Sequence, residues 1–398
     1  MMTTPPPEAT SLPSWNALKT FWMFDDARSY GARAILRWTA EGLRAAGKRV
    51  SMAQVDLNAP DAAAQLGRHF EEASPDAVFF ANHPPSLFMR QLGIEPSGRV
   101  RITWLLDDPR LMGAESFEAD EVVLVADPAF VQGAYERGAQ RVFYLPVAAP
   151  MQVEAVPQAQ WQAPLVYVGA AANLEAWRKQ LRPAMLEYFH QIVEQKIKEP
   201  RRSFDELLEA QPIEPGKRVN LNGPVRYYLY TEANRRYRLA HLEPLAGTGL
   251  RLYGNDGWRA ELKNTDLEAA YGGPIDPFAA YPHVIASADI NLNLRSLQGI
   301  TAPTHRDFLI PLCGGFLLST PRLGPDAVEE THAFGFDKFP WAPEASSPEV
   351  LRQMALHYQN QPEARREWVQ QASAVIREGH TMAHRMQQLA SLWDCEIA

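Results

Sequence analysis

The chain has 398 residues, which is long enough for two domains of ordinary size, because a single hydrophobic core rarely grows this large. Hydrophobic residues make up 46% and charged residues 22%, and no uninterrupted apolar segment approaches the ~18–20 residues that span a bilayer. We therefore expect a globular protein without a membrane span. A net charge of −8 argues against nucleic acid as a partner.

The cysteines and the N-terminal residues indicate a reducing, cytoplasmic location. Cys313 and Cys395 are the only cysteines, too few for a disulfide framework or a structural zinc site. Cys313 precedes two glycines in an apolar segment and is expected to be a core thiol. Residues 1–15 lack the basic region and apolar core of a signal peptide, and their prolines predict a flexible tail.

Short apolar runs alternate with helical patterns from residue 20 to residue 144. This alternation predicts a doubly wound parallel sheet in a domain at 16–149. No G-x-G-x-x-G follows any of the predicted strands, so we expect neither a nicotinamide nor any other cofactor. The strand-like runs lie at 20–24, 50–57, 76–82, 99–106, 121–127 and 141–147.

Acidic side chains and one histidine follow several of these predicted strands. Asp25 and Asp26 come after the first run, His83 after the third, and Asp107 and Asp108 after the fourth. Catalytic residues collect at the carboxyl ends of parallel strands, so these five are candidates for the base that deprotonates an acceptor. The alternative is that the aspartates cap helices or turns.

A segment rich in Pro, Gln and Ala at 150–164 is predicted to link the first domain to a second one at 165–378. The second domain opens with a buried strand that turns at Gly169, with Asn173 placed to cap the next helix. Gly254 bends the chain after the following strand. Small residues at such turns let a ligand approach the backbone, although tight turns without a ligand explain them equally well.

A basic run lies on a predicted helix between these two strands. The run occupies 234–238 in a helix expected from about Tyr227 to Leu245. A solvated helix face is the preferred interpretation of this run, and contact with an acceptor or a phosphate is the alternative.

The stretch at 287–320 is predicted to form a strand, a loop, a helix and a second strand. In its first strand, apolar residues alternate with Asn291, Asn293 and Arg295. Such a period of two places these three polar residues on one face. A polar face is unusual for a strand covered by helices on both sides, so it predicts that the strand overlooks a cleft or a wet edge.

The helix of this stretch should begin at Thr304, because Thr304 and Asp307 have the spacing of a capping box. Pro311 and the following Gly-Gly pair predict that the helix is short or kinked. His305 and Arg306 lie in its first turn, beside free N–H groups and the positive end of the dipole. This pattern predicts an anion site suited to a diphosphate; the alternative is that Arg306 makes a surface salt bridge.

Several of these motifs resemble one known family. INLNLR, the His-Arg-x-Phe that enters the short helix, and LCGGFLLST are similar to the C-terminal half of the CgeB-like (spore-maturation-protein-like) glycosyltransferases, which have the GT-B fold. WLLDDP, YLPVA, YGNDGW and the closing HTMAHR also resemble segments of that family. The resemblance implies two Rossmann-like parallel-sheet domains that face a central cleft, with a C-terminal helix at 379–398 returning to the first domain.

The resemblance further implies transfer of a sugar from a nucleotide diphosphate sugar to a protein or glycan acceptor without a metal. The donor would contact residues at the strand ends and at the start of the helix. These are Gly169, Asn173, Gly254, Asn291, Asn293, Arg295, Thr304, His305 and Arg306. His380 and His384 have a spacing that can bind metal, but no third ligand is apparent, so no metal is expected.

One position departs from the family pattern. The family carries a glutamate two residues after the position of Asp307, where it is expected to hold the donor ribose, and this chain has Leu309 there. This departure motivates one alternative, a non-catalytic module that binds a sugar nucleotide or glycan. A further alternative keeps the fold and changes the chemistry to that of a GT-B-like epimerase acting on the sugar nucleotide. Glu329 and Glu330 fall where the family tends to carry acids, and no role is assigned to them.

Overall fold

The computed structural model describes residues 12–25, 30–112, 116–211, 221–299, 301–322 and 334–397. The candidate base Asp26, the acidic pair Glu329 and Glu330, and residues 1–11 of the predicted tail lie outside the described residues. The chain divides into two compact units. The first comprises Met1–Val147 with Met382–Ala398, and the second comprises Ala148–Thr381.

The first unit is built on a sheet of six parallel strands in the order β2-β1-β3-β4-β5-β6. The strands are β1 (Thr20–Phe24), β2 (Arg49–Ala53), β3 (Ala77–Ala81), β4 (Val100–Leu105), β5 (Val122–Val125) and β6 (Arg141–Tyr144). The helices are α1 (Tyr30–Ala45), α2 (Ala62–Ala73), α3 (Pro85–Gln91) and α4 (Val131–Glu136). All residues of β3 and β5 are buried, as expected for parallel strands covered on both faces.

The second unit is built on five parallel strands in the order β11-β10-β7-β8-β9. The strands are β7 (Ala163–Val168), β8 (Leu250–Gly254), β9 (Tyr271–Pro274), β10 (Ala288–Asn293) and β11 (Leu317–Ser319). The helices of this unit are α5 (Glu175–Gln180), α6 (Pro183–Lys198), α7 (Phe204–Glu209), α8 (Gly223–Leu242), α9 (Gly257–Leu262), α10 (Tyr281–Ser287), α11 (His305–Leu312), α12 (Pro348–Gln359) and α13 (Pro362–Gly379).

Strand β9 lies at the edge of this sheet and was not predicted from the sequence. Its residues are Tyr-Gly-Gly-Pro, and glycine and proline are poor strand formers. Glycine is required here because a Cβ at Gly272 would lie 2.2 Å from a ring carbon of Tyr253 on β8. Packing against the neighbouring strand β8 therefore explains why these residues form a strand, and their own strand propensity does not.

The last helix, α14 (Met382–Ile397), returns to the first unit and packs against α1. The two helices approach so closely at Gly42 that an added Cβ would lie 2.7 Å from the carbonyl oxygen of Met382. Trp15 donates its backbone N–H to Asp394 (3.0 Å), and its ring packs against Trp393. The two parallel α/β sheets and this returning helix confirm the predicted fold class.

The basic run on α8 forms an ion-pair network and is not a solvated face. Glu232 is fully buried, and Arg178, Arg235 and Arg236 all donate to its carboxylate. Burial alone would raise the pKa of Glu232, but these hydrogen bonds and charges lower it to about 2. The preferred interpretation of the run is therefore wrong for Arg235 and Arg236, whose charges are neutralised inside the unit.

None of the helices in the described part of the chain combines the length and the apolar character that a bilayer crossing requires.

Candidate functional site

The start of α11 has the predicted capping geometry. The Asp307 carboxylate accepts hydrogen bonds from the backbone N–H (2.7 Å) and the hydroxyl (2.9 Å) of Thr304. The helix ends at Cys313, and Gly314 follows it with a left-handed φ of 81°. Pro311 lies inside the helix, and its carbonyl accepts a hydrogen bond from Ser373 of α13 (2.6 Å). A short helix beginning after Thr304 is thus confirmed.

The polar residues that alternate along β10 are buried, so the expectation of a cleft or wet edge along this strand is wrong. Asn291, Asn293 and Arg295 are 2%, 0% and 4% exposed. Elements of the second unit cover this face, and each polar side chain finds a partner inside the unit. Burial of these groups is tolerated because their nitrogens are hydrogen-bonded, although Asn293 Oδ1 has no partner among the described residues.

The partners of the two asparagines are structural. Asn291 donates its side-chain amide to the backbone carbonyls of Ile285 (3.2 Å) and Phe316 (3.4 Å), which ties β10 to α10 and to the approach of β11. Asn293 donates to the hydroxyl of Thr304 (3.1 Å) at the start of α11. Asn291 therefore joins β10 to its neighbouring elements, and Asn293 lies beside the start of α11.

The guanidinium of Arg295 forms a buried ion pair with the carboxylate of Asp307. Its two terminal nitrogens lie 3.0 Å and 2.7 Å from the two oxygens of Asp307, and its Nε donates to the carbonyl of Thr320 (3.1 Å). A bidentate pair of this kind fixes geometry as well as charge. Arg295 thus holds α11 against the end of β10, and its charge is cancelled by Asp307.

Arg306 is a cation at this edge of the sheet whose charge is not cancelled by an ion pair among the described residues. Its Nη2 donates to the carbonyl of Val168 (3.0 Å) at the carboxyl end of β7, and Tyr281 of α10 is close enough to act on its pKa. Burial alone would lower its pKa, but Tyr281 and Tyr167 raise it, so Arg306 remains charged. The side chain is partly buried rather than extended into solvent.

His305 lies in the same helical turn and is uncharged at neutral pH. It is partly exposed, yet protein atoms surround it closely enough that burial, together with the adjacent Arg306, lowers its pKa to about 3. The positive field at the start of α11 therefore comes from Arg306 and from the helix dipole. His305 contributes hydrogen-bonding capacity without charge.

The loops that follow β7 and β8 are pinned together by a residue that the sequence analysis missed. Asn255 accepts a hydrogen bond from the backbone N–H of Ala171 and donates one to its carbonyl, both at 2.9 Å. A Cβ at Gly254 would lie only 2.0 Å from the carbonyl oxygen of Gly169, so both predicted glycines serve a close backbone approach. An Asn directly after the glycine of a strand end was the available signal.

The remaining predicted residue of the second unit, Asn173, is exposed and accepts a hydrogen bond from the backbone N–H of Glu175 (3.0 Å) in the first turn of α5. On α8, Arg238 donates to the carbonyl of Ala170 (3.3 Å) in the loop after β7. The structure thus brings Gly169, Gly254, Thr304, His305 and Arg306 to the carboxyl edge of one sheet. It places Asn173 on the exposed side of the loop.

Two of the acidic candidates in the first unit are engaged by arginines. Asp25 is buried, and Arg33, Arg37 and Gln54 all donate to its carboxylate. Asp108 is buried and caps the turn that begins at Pro109, and its two oxygens also accept from Arg110. Asp108 thus matches the capping alternative, whereas Asp25 is held by side-chain ion pairs that the sequence analysis did not predict.

Asp107 and His83 are exposed near the carboxyl edge of the first sheet, and Asn82 holds Asp107. Asn82 has a left-handed φ of 59°. It donates to the Asp107 carboxylate (2.8 Å), while its own side-chain oxygen accepts from the backbone N–H of Leu106 (2.7 Å). A cavity adjoins His83, and its volume of about 60 Å³ is too small for a sugar nucleotide.

Among the described residues, no group of three or more His, Cys, Asp or Glu side chains could hold a metal ion. His380 stacks on Phe336 with ring centroids 5.1 Å apart, and on Phe308 at 5.9 Å. Cys313 is buried, and burial raises its pKa to about 12, as expected for a core thiol.

Comparison with known proteins gives one family match. Residues 226–391 match the family model described as "Glycosyl transferase-like". This segment contains β8, β10, α11 and β11 and therefore Arg306. A comparison with curated proteins found no match.

Solved glycosyltransferase structures are similar to the chain at low identity. A mutant of S. aureus TarM in complex with fondaparinux, alpha-GlcNAc-glycerol and UDP is 10% identical, with a TM-score of 0.46 over 83% of this chain and 59% of that chain. A glycosyltransferase from Rickettsia africae is 10% identical, with a TM-score of 0.47 over 96% of this chain and 98% of that chain. An alpha-glucosyltransferase in complex with UDP and a 13-mer DNA is 9% identical, with a TM-score of 0.48 over 94% and 99%.

Proposed function

We propose that the chain is a glycosyltransferase that moves a sugar from a nucleoside diphosphate sugar to a protein or glycan acceptor. The observation that carries the proposal is Arg306. Its guanidinium is held at the carboxyl edge of a parallel sheet, next to the start of α11, by a backbone carbonyl and a tyrosine that leave its charge uncancelled. The match of the surrounding segment to the glycosyl transferase-like family supports the same reading.

The chemistry that this arrangement supports is stabilisation of a leaving diphosphate. As the bond between the sugar and the diphosphate breaks, negative charge develops on the phosphate oxygens. The N–H donors of the Arg306 guanidinium would bind those oxygens from fixed positions, next to the positive end of the α11 dipole. Since these donors are already oriented, the proposed mechanism needs no metal to neutralise the diphosphate.

The acceptor's proton would go to a base, and the first unit supplies the candidates. Asp25 and Asp108 are buried against arginines, so they are poorly placed to accept a proton from a substrate. Among the described candidates, Asp107 and His83 are exposed. We propose Asp107 as the base, because Asn82 orients its carboxylate.

A second candidate function rests on Leu309. This residue is 4% exposed within α11, and it stands where CgeB-like transferases carry the glutamate that is expected to hold the ribose. A leucine cannot accept a hydrogen bond from a hydroxyl. This position favours a module that binds a sugar nucleotide without turning it over, and both functions use the same phosphate site.

Calorimetric titration tests the phosphate site that both functions share. The probes are inorganic pyrophosphate, UDP, GDP, ADP and TDP. We expect Arg306→Ala to weaken the best of these by about ten- to a hundredfold, because a hydrogen bond to a charged group is worth about 1.5–3 kcal/mol. The matched control is Arg366→Ala on α13, which removes an exposed arginine that pairs with Glu363 and should leave binding unchanged.

Incubation with labelled sugar nucleotides then separates the transferase from the binding module. Transfer predicts that label enters an acceptor fraction and that nucleoside diphosphate is released in proportion. A binding module predicts retention of the intact donor with no release. If Arg306→Ala left the affinity for every probe unchanged, the phosphate site would be wrongly assigned.

A further inference from the structure

The side chain of Tyr167 reaches the carboxyl edge of the second sheet from inside the core. Tyr167 lies on β7 and is 0% exposed, with its ring edge-on to Trp258. Gly169 follows two residues later, so its side-chain position is on the same face. A Cβ at Gly169 would lie 2.5 Å from the Tyr167 hydroxyl, which shows that the ring runs along the strand to the place where the strand ends.

Two polar atoms are buried at this edge without a hydrogen-bond partner among the described residues. They are the hydroxyl oxygen of Tyr167 and Nε of Arg306, and Asn293 Oδ1 and Arg238 Nε are two further unpaired buried atoms near the same edge. Unpaired buried polar groups are rare in native proteins because each loses its hydration without compensation. A pair of such atoms at a sheet edge where open α/β proteins bind ligands requires an explanation.

The two atoms belong to one cluster. Arg306 donates Nη2 to the carbonyl of Val168, the residue next to Tyr167 in the strand. Tyr281 lies close to Arg306, and the two tyrosines and Arg306 act electrostatically on one another. Val168 and Tyr281 thus fix the guanidinium, and its Nε–H and the Tyr167 O–H remain as donors of the same cluster.

We propose that Tyr167 and Arg306 donate together to the anionic oxygens of a bound diphosphate, and that Tyr281 is a positioning residue for Arg306. Both free groups are donors, so an oxygen with negative charge complements them better than a hydroxyl or an amide. This inference rests on the proposed function and adds a ligand-binding residue to it. Arg306 is partly exposed, so a phosphate can reach its guanidinium. The Tyr167 hydroxyl lies at the end of the same strand whose Val168 carbonyl accepts from Arg306.

Tyr167→Phe tests the proposal because the change should move stability and affinity in opposite directions. Without ligand, the variant loses only an unpaired buried hydroxyl, so its Tm should rise by roughly 1–4 °C. Its affinity for pyrophosphate and for the best-bound nucleoside diphosphate should fall by about ten- to a hundredfold, because a hydrogen bond to a charged oxygen is lost. A purely structural tyrosine would not show this opposition.

Two further variants complete the test. Tyr281→Phe should lower the affinity for pyrophosphate and also lower the Tm, since it removes a polar interaction with Arg306 that exists without ligand. Tyr253→Phe alters a buried tyrosine on the neighbouring strand and should leave pyrophosphate affinity unchanged.

The outcomes distinguish this inference from the proposed function. If Arg306→Ala weakens pyrophosphate binding while Tyr167→Phe leaves it unchanged, the role of Tyr167 is overturned and the phosphate site stands. If the unaltered chain binds neither pyrophosphate nor any of the four nucleoside diphosphates, both are overturned. Weaker binding by Tyr167→Phe with a raised Tm supports both.

Discussion

Charged residues at the carboxyl edges of the two sheets differ in whether neighbouring groups neutralise their charge. In the first unit, Asp25 and Asp108 are buried and each is surrounded by donors that neutralise it. In the second unit, Arg306 is held by a carbonyl and a phenol, neither of which carries a charge at neutral pH. Charges cancelled within the protein serve its structure, whereas an uncancelled charge held in place can act on a ligand.

The same contrast separates two arginines within the second unit. Arg295 and Arg306 lie at the two ends of the loop that joins β10 to α11, and both were predicted to bind the donor. Arg295 forms a buried bidentate pair with Asp307, and Arg306 makes no such pair among the ion pairs of the described residues. Their substitutions should therefore affect different properties.

The largest effect expected is on the Arg295–Asp307 pair. Arg295→Ala leaves the Asp307 carboxylate buried without its partner, which should destabilise the protein by about 3–5 kcal/mol in urea unfolding. The double variant Arg295→Met with Asp307→Leu removes both charges and should lose much less. Equal losses in the single and double variants would show that packing, not the unpaired charge, decides the outcome.

The buried network on α8 gives a pH-dependent form of the same effect. The pKa of Glu232 is lowered from its ordinary value of 4.5 to about 2, so its stabilisation is complete above pH 4.5 and is lost as the pH falls through 2. A shift of this size corresponds to about 3 kcal/mol. The unfolding free energy of the unaltered protein should fall by about that amount more than that of Glu232→Gln between pH 5 and pH 2. Parallel pH profiles would contradict the assignment.

A smaller effect separates the cancelled and exposed acids of the first unit. Asp25→Asn removes a buried carboxylate that three side chains bond, which should cost about 1–3 kcal/mol of unfolding free energy. Asp107→Asn alters an exposed carboxylate and should change stability by less than about 0.5 kcal/mol, while transfer activity should be lost. Retained transfer by Asp107→Asn would exclude Asp107 as the base.

The smallest effect is expected at His305. Because its pKa is lowered to about 3, the imidazole stays neutral between pH 5 and pH 8. Pyrophosphate affinity should therefore show the same pH dependence in His305→Gln as in the unaltered protein, after correction for the ionisation of pyrophosphate. A step in affinity near pH 6 that His305→Gln abolishes would show that the imidazole is charged in the site.

Local signals were sufficient to predict the start of α11, because the capping box of Thr304 and Asp307 involves residues three positions apart. The alternating apolar pattern likewise predicted β10. The burial of its polar face was not predictable from the sequence. The carbonyls of Ile285, Phe316 and Thr320, which accept hydrogen bonds from that face, come from other elements. The short β9 was not predicted, because its glycine is required by the close contact with Tyr253 on the neighbouring strand β8.

The site shows the same division between local and distant information. Arg306 was predicted from its position in the first turn of a helix after a strand. Three residues were missed because their roles depend on partners in other elements or in the loop ahead. The pairs are Asn255 with Ala171, Tyr167 with Gly169, and Tyr281 with Arg306. Tyr167 in particular has the sequence context of an ordinary core residue of a buried strand.

The position of the β-phosphate in a crystal of the chain with its best-bound nucleoside diphosphate tests the central claim most directly. We predict a phosphate oxygen within hydrogen-bond distance, about 2.7–3.2 Å, of the Arg306 guanidinium at the start of α11. A diphosphate bound with full occupancy elsewhere, with Arg306 still bonded only to Val168 and Tyr281, would contradict the account.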